Sequence, residues 1–332
     1  MTKQPKQLPL LGRTPPRREG GQYLVPVTEP PGGGLMGDSS LATALHWFQD
    51  EMRREGLAPN TRRTYAKAVS LLVRYLGKER PLNRISPDDL RRFQAWVMEN
   101  ARSPKTAEVK LTAVRRFFLD LYEAGVLPNN AAADVYPTKA TPAPPVILNR
   151  AQEEAVRRAA SEMITQPEGD SLVPCLLVTL MLDMGLRMGE VERLIVDDVD
   201  LDDLLRPRVY VRYAERRHRA KRRTVHGPPA LADLVRRYLE LHPPPDGEER
   251  LLPFSRRRLQ HIIERIGREA DLRRRLTPNT LRWTYIARSL LAGIPPEEVQ
   301  RAAGLSALGW QDAVRRLQDA LQTRFVFASE GR

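Results

Sequence analysis

The sequence predicts a mainly α-helical protein with a small antiparallel sheet, divided into two domains. Three observations carry that expectation. Apolar residues recur at helical spacing from about residue 39 to 127. A proline-rich break, YPTKATPAPP, covers residues 136–145. Beyond it RPRVYVRY alternates as a strand does, and RRTVHG is placed to pair with it as a hairpin. At ~100–200 residues per domain, a chain of 332 residues suits two.

Residues 1–38 hold Pro15, Pro16, Pro26, Pro30 and Pro31, then Gly32, Gly33 and Gly34. That composition buries too little apolar area to offset chain entropy, so a flexible basic arm is expected. Its Lys3, Lys6, Arg13, Arg17 and Arg18 suit DNA phosphates or, equally, a solvated tail.

Residues 39–135 form the first domain. Leu41, Leu45, Phe48 and Met52 share one helical face, as do Tyr65, Val69, Leu72 and Leu76. Leu90, Phe93 and Val97 continue the pattern, followed by Leu111, Val114, Phe118 and Leu121. Ser86-Pro87 and Ser103-Pro104 each put a capping hydroxyl before a proline at the first helical position, where its missing N–H costs nothing. Four helices with short connections make a small bundle.

The stretch 136–145 is expected to be an extended linker. Residues 146–332 form the second domain. SLVPCLLVTLMLDMG is apolar nearly all round and predicts a buried helix, with Cys175 as a small buried hydrophobe. Helices are expected around 256–270, 278–292 and 296–303; Thr277-Pro278 opens the second and Gly293 closes it. At the end, Phe325 and Phe327 are spaced for a strand or a short apolar plug, or for packing onto their own domain.

Fifty-four Lys and Arg against 41 Asp and Glu leave a net charge of +13. Such a surplus favours a polyanionic partner, nucleic acid first and an anionic membrane surface second. No apolar run reaches the ~18 residues of a membrane span. The N-terminus lacks a secretory apolar core. One cysteine excludes an internal disulfide and a cysteine-based zinc site. No nucleotide-binding glycine loop or metal-ligand cluster is present in the sequence, and His46, His226, His242 and His261 lack ligand spacing. No cofactor is expected, and the location expected is cytoplasmic, on the nucleoid.

Two windows are rich in arginine, whose planar fork suits bidentate phosphate contact. The first carries Arg206, Arg208, Arg212, Arg216, Arg217, Arg219, Lys221, Arg222 and Arg223, with Tyr210 and Tyr213 between them. It coincides with the hairpin tip, which favours DNA contact over a merely solvated surface. The second, residues 256–275, is evenly balanced between the two.

From about residue 39 to 320 the chain resembles the tyrosine recombinases, the phage-integrase family. LAPNTRRTYAKAVSLLVRYLG and SPKTAEVKLTAVRRFFLDLYEAGVLPNNAA are similar to the helical core-binding (SAM-like) domain. LDMGLRMGEVERLIVDDVD resembles the first arginine box, and TPNTLRWTYIARSLLAGIPPEEVQRAAGLS the His-x-x-Arg and Gly-His segments. The resemblance implies a two-domain fold, a core-binding domain followed by an integrase-like catalytic domain.

In that family a tyrosine attacks the scissile phosphate, two arginines hold its oxygens, a lysine protonates the leaving oxygen and histidines assist. Developing charge on the phosphate demands fixed cationic donors, and the phenol and leaving group need proton transfer. The resemblance makes Arg187 and Arg282 the arginines, with Glu190 after the first, and Lys221 the lysine, although the commoner slot falls on His218 or Arg217. The histidine positions hold Asn279, Trp283 and Leu305, and the nucleophile's position holds Val314. No tyrosine occurs after Tyr285, which sits where the family has a core aromatic.

What is implied is a DNA-binding homologue that has lost strand cleavage and clasps duplex DNA in an architectural or regulatory role in recombination or integration. Its partners would be double-stranded DNA and, as a homo- or hetero-oligomer, itself or an active recombinase; no membrane is expected. Arg62, Arg63, Lys67, Lys105 and Lys110 in the first domain, and Arg212, Arg216, Arg217, Arg219, Arg222 and Arg223 in the second, would contact DNA. Two other readings stay open: an active recombinase with a non-standard or trans-supplied nucleophile, and a protein-interaction scaffold. Arg187 and Arg282 would also persist as buried pairing residues, for example Arg187 with Glu190.

Overall fold

A computed structural model describes residues 34–136, 143–165, 172–244 and 249–329, with the side chains of 165, 216–218 and 321–329 left undescribed. The chain divides into two compact units, Met1–Thr141 and Pro142–Arg332. The break falls within the proline-rich stretch.

The first unit is built from α1 (Leu41–Arg54), α2 (Pro59–Leu76), α3 (Pro87–Asn100) and α4 (Pro104–Glu123). The expected caps are present. The Ser86 hydroxyl accepts from the Asp89 N–H while Asp89 accepts from the Ser86 N–H, a reciprocal pair that satisfies two otherwise orphaned donors. Ser103 caps α4 through the Thr106 N–H. The apolar faces meet around Phe48, Phe93, Phe117 and Phe118, all fully buried. Phe48 meets Phe117 edge-on at 5.3 Å. Each buried aromatic of this kind stabilises the unit by about 1.5–3 kcal/mol.

Packing begins earlier than the sequence suggests. Residues 34–38, expected in the arm, belong to the bundle: Leu35 is buried and the Gly37 carbonyl accepts from the Asn83 N–H at 2.7 Å. Residues 1–33 and 137–142 lie outside the described residues. Tyr136, expected to open the linker, is held by the Arg115 guanidinium 4.8 Å from its ring centroid and by a Gln94 side chain on its carbonyl.

The second unit starts with α5 (Arg150–Glu162) and α6 (Val173–Val178), whose axis continues as one π-turn over Thr179–Asp183. The expected single buried helix is therefore two geometries in sequence. Cys175 is half-buried rather than enclosed, and its thiol donates to the Ala160 carbonyl at 3.4 Å. A short α7 (Met188–Val191) follows. Then come β1 (Val199–Asp200), β2 (Arg208–Val211) and β3 (Arg223–His226), an antiparallel sheet in the order β1-β2-β3. Val209 pairs with Val225 and Val211 with Arg223. The two-residue β1 carries too little pattern to be read from sequence.

The remaining elements are α8 (Ala230–Leu241), α9 (Arg256–Glu269), α10 (Pro278–Leu291), α11 (Pro296–Ala302) and α12 (Ala307–Ser329). Thr277 caps α10, and Gly293 beyond its end takes φ +79°, as expected. The main core gathers α5, α6, the sheet, α8 and α9; a second cluster joins Ile286 and Ala287 to Val299, Ala303, Leu317 and Ala320. The backbone at Phe325 and Phe327 continues α12, so of the alternatives open there the strand is replaced by helix.

Candidate phosphate-binding site

Four chain segments converge at one end of α10. Gly185 comes first. It adopts φ +68°, and a Cβ there would lie 2.3 Å from Cδ1 of Tyr285. Only glycine lets the turn pass over that ring. The turn delivers Arg187 to the start of α7, where its N–H donates to Glu190 Oε2 at 2.8 Å.

Glu190 is the hub. Its Oε1 accepts from Arg187 Nη1 at 3.1 Å, Tyr213 Oη at 2.5 Å and Arg223 Nη1 at 2.9 Å. Its Oε2 accepts from Arg223 Nη2 at 2.9 Å as well as from the Arg187 N–H. Burial alone would raise this carboxyl's pKa, but the hydrogen bond and charge of Arg223, then the Arg187 N–H and the Tyr213 phenol, outweigh it. The pKa is held at about 2, so the carboxylate is ionised at neutral pH.

The two arginines that the sequence singled out meet here. Arg187 Nη2 donates to the Gly304 carbonyl at 2.6 Å, while Arg282 donates to the carbonyls of Ala303 and Gly185. Burial, then the neighbouring Arg187 charge, hold Arg282 down to about 9. Three guanidinium groups (Arg187, Arg223 and Arg282) face one carboxylate, a surplus of two positive charges. Arg187 remains 30% exposed and presents that surplus to solvent. An anion placed there would relieve the repulsion between Arg187 and Arg282, which makes the cluster a candidate oxyanion site.

Other expected residues fall as follows. Lys221 ends a 3-10 turn over Arg216–Lys221, its carbonyl taking a hydrogen bond from Arg223 Nη1 at 3.3 Å and its side chain half-buried. Arg212, Arg219 and Arg222 are exposed; Arg212 pairs with Asp198 at 2.9 Å and Arg222 donates to the Tyr213 carbonyl. The side chains of Arg216 and Arg217 lie outside the described residues. Arg223 departs from expectation. Its side chain is 4% exposed, bonded to Glu190 and, through Nε, to the Ala302 carbonyl at 2.7 Å, so it has no free face for DNA. In the first unit Arg63, Lys67 and Lys105 are exposed, whereas Arg62 and Lys110 are half-buried.

The four substituted positions hold no acid–base groups. Asn279 is exposed near the start of α10. Trp283 lies under the Arg316 guanidinium, 5.0 Å away, and with Leu305 packs on the α10–α12 cluster. Val314 is half-buried on α12, next to the buried Ala313. Tyr285 is a packing residue against Gly185, and burial raises its phenol pKa. Among the described residues no group of three or more His, Cys, Asp or Glu side chains gathers to hold a metal, and no helix is long and apolar enough to cross a membrane.

Two residues of this site escaped the sequence: Tyr213 as a member of it, and Arg223 as its buried brace. Strand alternation held the signal. Val209, Val211 and Tyr213 share one parity, as do Arg223 and Val225, and the inward valines assign that parity to the core side.

Comparisons with known proteins agree with this architecture. Residues 150–312 match the phage integrase family, and residues 46–125 match the phage integrase N-terminal SAM-like domain. The tyrosine recombinase XerA of Thermococcus kodakarensis is 31% identical over 270 residues, 79% of this chain and 86% of that protein. The tyrosine recombinase XerD of Ralstonia nicotianae is 26% identical over 274 residues, 78% and 82% of the two. Among solved structures, a lambda integrase dimer bound to a COC′ core site superposes with TM-score 0.65 at 15% identity, covering 83% of this chain and 78% of that one. XerH recombinase bound to difH substrate gives 0.63 at 19% identity, covering 84% and 83%. The chain belongs to the phage integrase family of tyrosine recombinases.

Proposed function

We propose that this chain binds duplex DNA in the manner of a recombinase but does not cut it. One observation carries the reading: Arg187 and Arg282 converge on the Ala303–Gly304 turn, whereas α12 runs from Ala307 to Ser329 without a tyrosine. Two clustered guanidinium groups, Arg187 part-exposed and Arg282 buried beside it, stand without a phenol at the position where the family places its nucleophile. The substituted neighbours support the same conclusion, since Asn279 and Leu305 do not move protons at neutral pH. Tyr285 offers no rescue, because its ring is packed against Gly185.

DNA is the fitting polyanion because the structural neighbours named above include recombinases bound to DNA, and the net charge here is +13. Arg212, Arg219 and Arg222 around the hairpin would supply phosphate contacts in the second unit, and Arg63, Lys67 and Lys105 in the first. Such contacts position a protein without reading sequence. The role that follows is architectural or regulatory, on the nucleoid, in a homo-oligomer or beside an active recombinase. An active relative would supply the cleavage that this chain lacks.

The experiment pairs a duplex-binding measurement with a nicked suicide duplex run on a denaturing gel. The expected outcome is salt-sensitive binding with no covalent band. A DNA-linked band from the unaltered chain would end the non-cleaving part of the reading, and failure to bind duplex at low salt would end all of it.

A further inference from the structure

The Tyr213 phenol, at the arginine cluster, has no part in the reading above. We propose that Tyr213 is a third member of the phosphate cradle, a neutral hydrogen-bond donor to a non-bridging oxygen of the phosphodiester held by Arg187 and Arg282. The proposal rests on the DNA-binding reading and names a ligand contact within it.

The geometry is local and specific. Tyr213 Oη lies 3.5 Å from Arg187 Nη1 and 2.5 Å from Glu190 Oε1. A phosphate oxygen accepting from Arg187 at the usual ~2.8 Å comes within reach of that hydroxyl. The backbone beneath it is fixed, because Arg222 donates to the Tyr213 carbonyl from Nε at 3.0 Å and Nη2 at 2.6 Å. The Arg193 guanidinium sits over the half-buried ring, 5.3 Å from its centroid.

In the ligand-free site the phenol donates to Glu190. Rotation about the C–O bond, with a small withdrawal of the phenol from Glu190 that relieves their 2.5 Å approach, turns that proton toward an incoming phosphate. Glu190 is not stranded by the change, since it keeps both Arg223 hydrogen bonds, the Arg187 side chain and the Arg187 N–H. Burial and Glu190 raise the phenol pKa, so the group stays protonated and remains a donor. Neutrality suits the place. Another cation beside Arg187 would add to the repulsion already felt by Arg282, whereas a hydroxyl adds a donor and no charge.

The test measures binding of a fluorescein-labelled duplex by anisotropy at several salt concentrations, for the unaltered chain, Tyr213→Phe and Arg187→Gln. Tyr213→Phe is expected to bind about tenfold more weakly, as for loss of one hydrogen bond to a charged group. Its salt dependence should match that of the unaltered chain, because a neutral donor displaces no counterion. Arg187→Gln should bind more weakly with a slope reduced by about one.

Unchanged affinity in Tyr213→Phe, with Arg187→Gln weakened, would overturn the proposal and leave the DNA reading intact. A slope reduced as in Arg187→Gln would also overturn it, by showing that Tyr213 only positions the arginine. So would a covalent adduct on a nicked duplex that Tyr213→Phe abolishes, which would make the phenol an attacking group. No binding by the unaltered chain would instead defeat the reading on which the proposal stands. If Tyr213→Phe does not fold, Tyr213→Gln keeps an N–H donor and should retain most of the affinity; an affinity as low as that of Arg187→Gln would overturn the proposal.

Discussion

Arg187 and Arg282 donate to the carbonyls of adjacent residues, Gly304 and Ala303 respectively. The turn between α11 and α12 is thereby tied to both guanidinium groups, although the two arginines stand 95 positions apart, from 187 to 282. The segment where the family resemblance expects a glycine–histidine pair is thus held in place even though Leu305 has taken the histidine's position.

Acid sensitivity should centre on Glu190. Its folded pKa of about 2 lies below the ordinary 4.5, so its stabilisation is present above pH 4.5 and is lost as pH falls toward 2. A shift of that size corresponds to about 3 kcal/mol. Urea titrations from pH 7 down through that range should show Glu190→Gln less stable at pH 7 by roughly this amount, with a flatter acid limb. Equal stability of the two proteins at pH 7 would show that the carboxylate does not brace the site.

Two arginines of one hairpin should behave oppositely. Arg223→Gln breaks a buried two-pronged pair with Glu190 and should cost about 3–5 kcal/mol in denaturant unfolding. Arg219→Gln, on the exposed turn, should leave stability within about 0.5 kcal/mol and lower the salt slope of duplex binding by about one. A destabilised Arg219 variant with an unaltered slope would contradict the division of labour.

Glycine substitutions separate backbone strain from steric conflict. Gly56 and Gly185 share φ +68°, yet a Cβ at Gly56 meets open space whereas one at Gly185 would strike the Tyr285 ring. Gly56→Ala should therefore cost about 1–2 kcal/mol, the left-handed penalty alone. Gly185→Ala should cost at least about 1 kcal/mol more, from overpacking. Matching losses in thermal unfolding would mean that the ring moves aside freely.

Restoring the phenol alone should not restore cutting. Val314→Tyr puts a hydroxyl on α12, but Asn279 and Leu305 still supply no proton transfer. The expected result on a nicked suicide duplex is no covalent band at neutral pH. A clear adduct would show that one substitution accounts for the whole loss.

Much of this arrangement was legible in one dimension. The period of the apolar residues assigned the four helices of the first unit, and Ser86, Ser103 and Thr277 marked helix starts through hydroxyl caps that act on their own neighbours. Residue alternation found the β2–β3 hairpin, and the absence of tyrosine after Tyr285 needed only reading. These are local properties, fixed by side chains a few positions apart. The partners of buried charges were not legible. Arg219, Arg222 and Arg223 look alike in a basic run, yet only Arg223 faces inward, because strand parity and the position of Glu190 decide which one is desolvated. Tyr213 joined the arginine cluster for the same reason. Desolvation depends on what the rest of the chain stacks over a residue, so the sequence determined the periodic helices of the first unit, the β2–β3 hairpin and which chemical groups exist. Only the packed chain decided which cations are buried as braces and which are left exposed.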